Sequence, residues 1–459
     1  MTGPGFPHLS HHRHRRFTYR EPDALLQDVR ALGLDIPWSQ DISPLLEPLI
    51  LGFHTLPNRL VVQPMEGFDA DPHGGPGPEA LRRYRRYAEG GAGLIWFEAT
   101  AVVEEARSNP RQLFLHPGNV ESFRQLVSEV RLSATRALGL GHTPLLILQL
   151  THSGRWSRPG GERRPLIAHH VAKLDAIAGI DDAYPVATDE ELEHLQDIFV
   201  AAAGLAARAG FDGVDMKACH GYLASELLGA FNRAGPFGGS LENRSRFLLE
   251  TAARIREAQP GLLVTTRMNA FDGLSRPHGF GANADDPPAP DPAEPVQVLR
   301  RLQEDGASLA NVTLGIPYAN PHLGRPFNKE VPGAAPAPEH PLIGIDRFQR
   351  VTGTLQKALP TLPLVGTGYS WLRQFFPNVG AGAIRSGGAS LVGVGRMAFA
   401  YPDFARDLAE HGSLDPRKSC VGCSGCSYLM KVGEPTGCVV RDGSLYQLPE
   451  TRERKRGRE

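Results

Sequence analysis

No charge of one sign dominates this chain. Its 459 residues carry 49 Lys and Arg against 50 Asp and Glu, a net charge of −1. That balance removes the electrostatic case for a nucleic-acid or anionic-membrane partner. Long apolar runs are missing too, and none approaches the roughly 20 residues that cross a bilayer. The N-terminal stretch, Met-Thr-Gly-Pro-Gly-Phe-Pro-His-Leu-Ser-His-His-Arg-His-Arg-Arg, has no apolar core of the signal-peptide kind. A cytoplasmic location is therefore the default expectation. His8, His11, His12 and His14 in that stretch read as a disordered tail rather than a metal site. There is no internal repeat beyond an alternation of strands and helices. No Gly-x-Gly-x-x-Gly follows a strand outside that alternation, so no Rossmann domain is expected. Cysteine is scarce: there are five, and four of them fall between positions 420 and 438.

What is present describes an ordinary globular chain, with 41% hydrophobic and 22% charged residues. The length suits one (β/α)₈ barrel of about 250 residues or more with extensions. Residues 17–45 look like a capping segment, with Phe17, Leu25, Leu26 and Val29 at helical spacing. Strands are then expected at 59–64, 93–98 and 144–150, from 211, and at 262–267, 309–314, 362–365 and 391–394. The 144–150 run is continuously apolar, as a strand covered on both faces should be. The best helix signal follows a long loop at 153–187. Thr188-Asp189-Glu190-Glu191 fits a capping box, and Leu192, Leu195, Phe199, Ala202 and Leu205 keep helical period. Proline-dense stretches at 285–292 and 332–341 read as surface loops on the catalytic face, where they would shape substrate access. Eight strands with intervening helices are the count of an α/β TIM barrel. The expected divisions are an extension at 1–45, the barrel at 46–412, a cysteine-rich segment at 413–445 and a charged, solvated tail at 446–459.

The chain is organised around residues 212–247. A buried strand there delivers Lys217, His220 and Tyr222 to its C-terminal end, the catalytic face of a parallel barrel. Three proton-handling side chains within six residues suit acid/base work. The plain alternative is a surface loop with Tyr222 half buried. Elsewhere, Gly366-Thr367-Gly368 ends the seventh strand, and Gly393-Val394-Gly395-Arg396 ends the eighth. Loops after strands seven and eight are the usual phosphate site of this fold. Glycines there let backbone N–H groups approach phosphate oxygens, and Arg396 can add a charge-assisted fork.

The wording of the central stretch, His-Gly-Tyr-Leu and then Phe-Gly-Gly-Ser-Leu-Glu-Asn-Arg-Ser-Arg-Phe, closely resembles the Old Yellow Enzyme family of FMN-dependent oxidoreductases. The resemblance extends over nearly all of residues 45–440. It implies that Gln149, in Gln-Leu-Thr-His-Ser-Gly-Arg, pairs with the flavin's pyrimidine edge through an amide that donates and accepts at once. It implies that Arg267 sits near flavin N1, that Pro64, Met65 and Ala99 touch the ring's reactive edge, and that Tyr222 is the proton donor. Two positions depart from the family. Glu66 stands where Thr or Cys is usual beside the flavin C4=O. Lys217 stands in place of the first member of the pair that grips the substrate oxygen, leaving His220 as the second. A lysine can polarise a carbonyl as a point charge.

Cys420-x₂-Cys423-x₂-Cys426-x₁₁-Cys438 suits either an iron–sulfur cluster or tetrahedral zinc. Three close cysteines and one distant favour [4Fe-4S]. A similar layout follows the barrel in the 2,4-dienoyl-CoA reductase and trimethylamine dehydrogenase branch of the family, where it holds such a cluster. Those relatives continue into a further nucleotide-binding domain, so here a separate electron-transfer protein is the expected partner of the cluster. Cys219 reads as a buried structural thiol. The leading expectation is hydride transfer between flavin N5 and a small unsaturated substrate held by Lys217 and His220, with Glu66 as a further acid/base candidate. NAD(P)H is admitted as a direct electron donor. An amine or other C–H dehydrogenase is the runner-up, a tRNA dihydrouridine synthase-like flavoprotein a distant third, and a zinc-stabilised binding protein a fourth.

Overall fold

A computed structural model describes residues 16–456. The histidine-rich start and the last three residues of the charged tail lie outside the described residues. Eight parallel strands form the barrel: β1 (Leu60–Val62), β2 (Leu94–Ala101), β3 (Leu145–Thr151), β4 (Gly213–Met216), β5, β6 (Ala310–Thr313), β7 (Leu364–Gly366) and β8 (Leu391–Val394). The fifth runs as two segments, Leu263–Thr265 and Arg267–Asn269. The first pairs with β4 and the second with β6, so the ring closes through the break at Thr266. Thr266 Oγ1 donates to the Met216 carbonyl at 2.7 Å there. The break lets strand five reach two residues beyond its expected end at Arg267.

Alternate side chains explain why the strands are apolar on both faces. Val61, Leu94, Trp96, Leu145, Ile147, Leu309, Val365 and Leu391 pack together inside the ring. Leu60, Val62, Ile95, Phe97, Leu146 and Leu148 pack outward against the helices. A hairpin, Leu49–Leu51 with His54–Leu56, plugs the N-terminal end of the ring with Leu51 and Leu56. Each such side chain contributes about 1.5–3 kcal/mol when fully buried. Toward the other end the interior turns polar. Gln63 donates to Asn311 and Thr367, and Asp215 accepts from Trp96 and Gln149.

The ring is covered by α1 (Pro22–Ala31), α2 (Pro78–Glu89), α3 (Val120–Leu138) and α4 (Asp189–Ala209), then α5 (Leu241–Ala258), α6 (Ala293–Glu304), α7 (Pro341–Ala358) and α8 (Phe376–Arg385). The capping box at α4 forms as its sequence implies. Thr188 Oγ1 accepts from Glu191 N, and Glu191 accepts from Thr188 N. The expected loop at 153–187 instead contains a short helix, Ala172–Ala178. Phe17 precedes α1 and packs its ring against Trp371 rather than sharing a helix with Leu25 and Val29. Among the described residues, no helix is long and apolar enough to cross a membrane.

The cysteine-rich segment folds back onto the barrel mouth. Its Gly422 carbonyl accepts from the backbone of Asn328 and Lys329, in the loop after β6, and Ser424 Oγ donates to the Lys329 carbonyl. The loop after β6 thus carries this segment in addition to bordering the mouth. On the other side, Arg82 and Arg86 of α2 both bond Asp442.

Candidate active site

The C-terminal ends of the strands bring most of the expected residues to one mouth. β1 leads into Pro64, Met65, Glu66 and Gly67, and β4 leads into Lys217, His220 and Tyr222. At the centre stands Glu66. Tyr222 donates its hydroxyl to Glu66 Oε1 at 3.2 Å, and Ser108 Oγ donates to Oε2 at 3.0 Å. Lys217 Nζ lies 3.5 Å from Glu66 Oε1 and 3.5 Å from the centroid of the Tyr222 ring. Spacing in the sequence put Lys217 and Tyr222 on one loop. It gave no sign that Glu66, from another strand, would bond both.

Burial sets the protonation of this cluster. It holds the Tyr222 hydroxyl well above its ordinary pKa, and the nearby Glu66 carboxylate adds to the effect, so the phenol stays protonated. It depresses Lys217, with Arg267 adding positive charge while Glu66 opposes the shift. His220 is held well below its usual value by burial and then by Arg267 and Lys217, which makes it a neutral imidazole. Its backbone is left-handed, with φ 65°. Cys219 is fully buried, and its thiol is pushed up to about 11, as a structural thiol should be.

Two residues absent from the sequence reading complete the pocket. Tyr318, from the loop after β6, stacks its ring on Trp156 at 3.9 Å. Asp215, inside β4, receives Gln149 Nε2 at 2.5 Å, Trp96 Nε1 at 2.8 Å and the Arg267 backbone N–H at 2.6 Å. Asp215 therefore orients Gln149. The available signal was an Asp within an otherwise buried strand, which must have partners.

The residues expected to hold FMN can be tested for fit. Arg267 is buried, and its Nε has no hydrogen-bond partner among the described residues. Arg396 is also buried with its Nη1 unpartnered, although Nη2 donates to the Pro326 carbonyl at 2.6 Å. Two buried cations with unmet donors fit an anionic, acceptor-rich ligand. The glycines have an additional cause. A Cβ on Gly393 would lie 2.1 Å from Gln63 Nε2, and one on Gly395 would lie 2.9 Å from Met65 Sδ. Gly368 has φ 95° with Phe348 against it, and a Cβ on Gly366 would meet the Tyr369 hydroxyl at 2.8 Å. Close packing against these side chains favours glycine at each of the four positions. Ala99 is buried, and its carbonyl accepts from Gln112. Arg155 of the Gln149 motif is structural, buried between Asp175 and Glu226.

Arg396 also reaches the cysteines. Cys420, Cys423, Cys426 and Cys438 line one cavity together with Arg396, Phe399 and Ser424. Among the described residues, no three of these thiols lie within 4.8 Å of one another. The backbone N–H groups of Gly422 and Arg441 point at Cys420 Sγ and Cys438 Sγ, at 3.5 and 3.3 Å. Arg325, which donates to Ser424 Oγ, lies beside Arg396 and is pushed down to about 10 by burial and by that second charge.

Residues 44–320 match the sequence model of the NADH:flavin oxidoreductase / NADH oxidase family. An NADPH dehydrogenase of Halalkalibacterium halodurans is 31% identical over 213 residues, a match covering 46% of this chain and 58% of the relative. Among solved structures, a 2-naphthoyl-CoA reductase complex with 2-naphthoyl-CoA superposes with a TM-score of 0.69 at 20% identity, covering 89% of this chain and 58% of the other. Histamine dehydrogenase from Rhizobium sp. 4-9 follows with a TM-score of 0.64 at 22% identity, covering 87% and 52%. At such identities the two structures establish the barrel fold alone, and this chain spans little more than half of each.

Proposed function

The chain belongs to the NADH:flavin oxidoreductase / NADH oxidase family, and on that premise we propose that it is an FMN-dependent oxidoreductase acting on a small unsaturated carbonyl compound. The observation that carries the flavin reading is Arg267, a buried guanidinium with an unmet donor, beside a Gln149 amide held in place by Asp215. Bound there, FMN would supply the hydride chemistry, and Arg267 would balance negative charge on the reduced ring. NAD(P)H is the proposed electron source.

The chain's own residues divide the remaining work. Tyr222 keeps its proton because burial and Glu66 both disfavour the phenolate, and it gives that proton up to carbanionic charge developing on substrate. Glu66, at hydrogen-bond distance from the same hydroxyl, can return it. Lys217 and the neutral His220 face the substrate oxygen. Tyr318 and Trp156 wall the pocket with a stacked pair that favours a flat ligand.

The four cysteines are proposed to hold [4Fe-4S]. Tetrahedral zinc, with Zn–S of about 2.3 Å, draws its thiolates to roughly 3.8 Å from one another. Three close cysteines and one distant one support the larger cluster. Burial raises the Cys420 thiol, and Arg396 and the Gly422 N–H aimed at its sulfur work against that shift.

One specific observation favours a second reading, an amine dehydrogenase. Glu66 is a carboxylate at the centre of the pocket, suited to a cationic amine substrate. The experiment is a visible spectrum of protein purified without oxygen, followed by mixing with NADPH and then with 2-cyclohexenone. Flavin bands that bleach with NADPH and return with the enone are expected. A colourless protein sinks the flavin reading. Bleaching by an amine, with no response to the enone, moves the dehydrogenase ahead.

A further inference from the structure

Lys217 is set up for more than holding an oxygen. It ends β4 at the barrel mouth, with a side chain 4% exposed. Among the described residues, Glu66 is the one carboxylate within 4.0 Å of its Nζ, at 3.5 Å, beyond ordinary hydrogen-bond distance. Burial works against the ammonium form, Glu66 opposes that shift, and Arg267 in the same site adds a second positive charge on the side of burial. A desolvated lysine beside another cation is the arrangement that frees an amine lone pair for attack on a carbonyl. Glu66 Oε1 also accepts from the Tyr222 hydroxyl at 3.2 Å, so one carboxylate oxygen stands next to both the amine and the phenol.

We propose that Lys217 is a covalent catalyst, its Nζ condensing with the substrate carbonyl to give a protonated imine while Glu66 and Tyr222 move the protons. The proposal rests on the reading of this pocket as a carbonyl site. The ammonium first yields a proton to Glu66. The free amine then forms a bond to the carbonyl carbon, and the C=O π pair moves to oxygen, which takes a proton from Tyr222. Tyr222 then regains its proton from the nitrogen, which sheds one of its two hydrogens and keeps one N–H. The lone pair so freed forms C=N as the carbinolamine loses its hydroxyl as water, with the proton held by Glu66. Ketone and Lys-NH₃⁺ have become the protonated imine and water, with no change of oxidation state. In a conjugated substrate the cationic C=N withdraws electrons from the neighbouring double bond more strongly than the neutral carbonyl does. The carbon that is to receive hydride is thereby activated.

The test uses the full-length flavin-containing protein, 2-cyclohexenone and sodium cyanoborohydride without oxygen, followed by digestion and peptide mass spectrometry. A parallel titration follows the flavin spectrum for occupancy by the enone. The expected result is a saturable secondary-amine adduct on Lys217, absent in Lys217→Arg protein that keeps its flavin. If the enone perturbs the flavin spectrum but Lys217 stays unmodified, covalent catalysis is overturned and the carbonyl site stands. If the enone neither perturbs the spectrum nor reoxidises reduced flavin, and Lys217 stays unmodified, both readings fall. An adduct on Lys217 without reoxidation supports imine formation and removes the enone reductase assignment.

Discussion

Thr436 donates its backbone N–H to the Gly67 carbonyl at 2.7 Å, joining the cysteine segment to the residue next to Glu66. The N–H of Gly67 in turn donates to buried Glu98 at 2.7 Å, and Glu98 is paired with Arg83. One backbone hydrogen bond thus ties the cysteine segment to the Glu66 loop, two residues from Cys438 on one side and one from Glu66 on the other.

Gly67→Ala should break that link. A Cβ there would lie 2.2 Å from Arg83 Nη1, and the guanidinium cannot move without leaving its buried partners Asp69 and Glu98. Breaking such a buried pair costs about 3–5 kcal/mol. Thermal unfolding should show a clear loss of stability, and the iron content should fall with it. An unchanged melting temperature would mean that Arg83 relaxes freely.

Tyr222→Phe should slow reoxidation of the reduced flavin by substrate about 10²–10⁴-fold, the usual worth of a general acid. Reduction by NADPH should hardly change. Stopped-flow measurement of the two half-reactions separates these effects. Should Tyr222→Phe have no effect while Glu66→Gln abolishes reoxidation, the carboxylate is the acid and the amine reading gains.

Protein purified without oxygen should contain iron and acid-labile sulfide near four of each per chain. Cys420→Ser or Cys438→Ser should lower both. Stoichiometric zinc without sulfide would replace the cluster with a structural metal.

Arg396→Ala should weaken FMN retention by roughly 10- to 100-fold, the equivalent of one lost charge-assisted hydrogen bond. Because Arg396 also lines the cysteine cavity, iron should be retained less well in the same variant. Full FMN occupancy in Arg396→Ala would remove this arginine from the phosphate site.

Acid should destabilise the protein through its buried histidines. Burial lowers His152 to about 4 and His169 to about 3, from 6.5. Below pH 6.5 the unfolded chain binds protons that the folded chain refuses, so stability is full above that pH and is lost as pH falls toward 4 and then 3. For His152 alone the loss at pH 4 is roughly 3 kcal/mol. Melting temperatures from pH 8 to 4 should show this decline, and His152→Gln should flatten part of it.

The barrel was legible because its signals are local. Apolar runs such as 144–150, the capping box at Thr188 and the glycines at strand ends follow from backbone chemistry within a few residues. So does the collection of Lys217, His220 and Tyr222 on one loop. The break at Thr266 was not legible, because it depends on which neighbour each half of strand five pairs with.

Sequence by itself determined the fold, the strand ends that carry the candidate site and the four-cysteine spacing, since each is written in residues close along the chain. Only the tertiary structure decided that Glu66 bonds Tyr222 and lies 3.5 Å from Lys217. It alone set Asp215 behind Gln149, and Arg396 in one cavity with the four cysteines. Those pairings bring together residues up to 156 positions apart. Their protonation is governed by burial, a property of the packed barrel that no single stretch of sequence possesses.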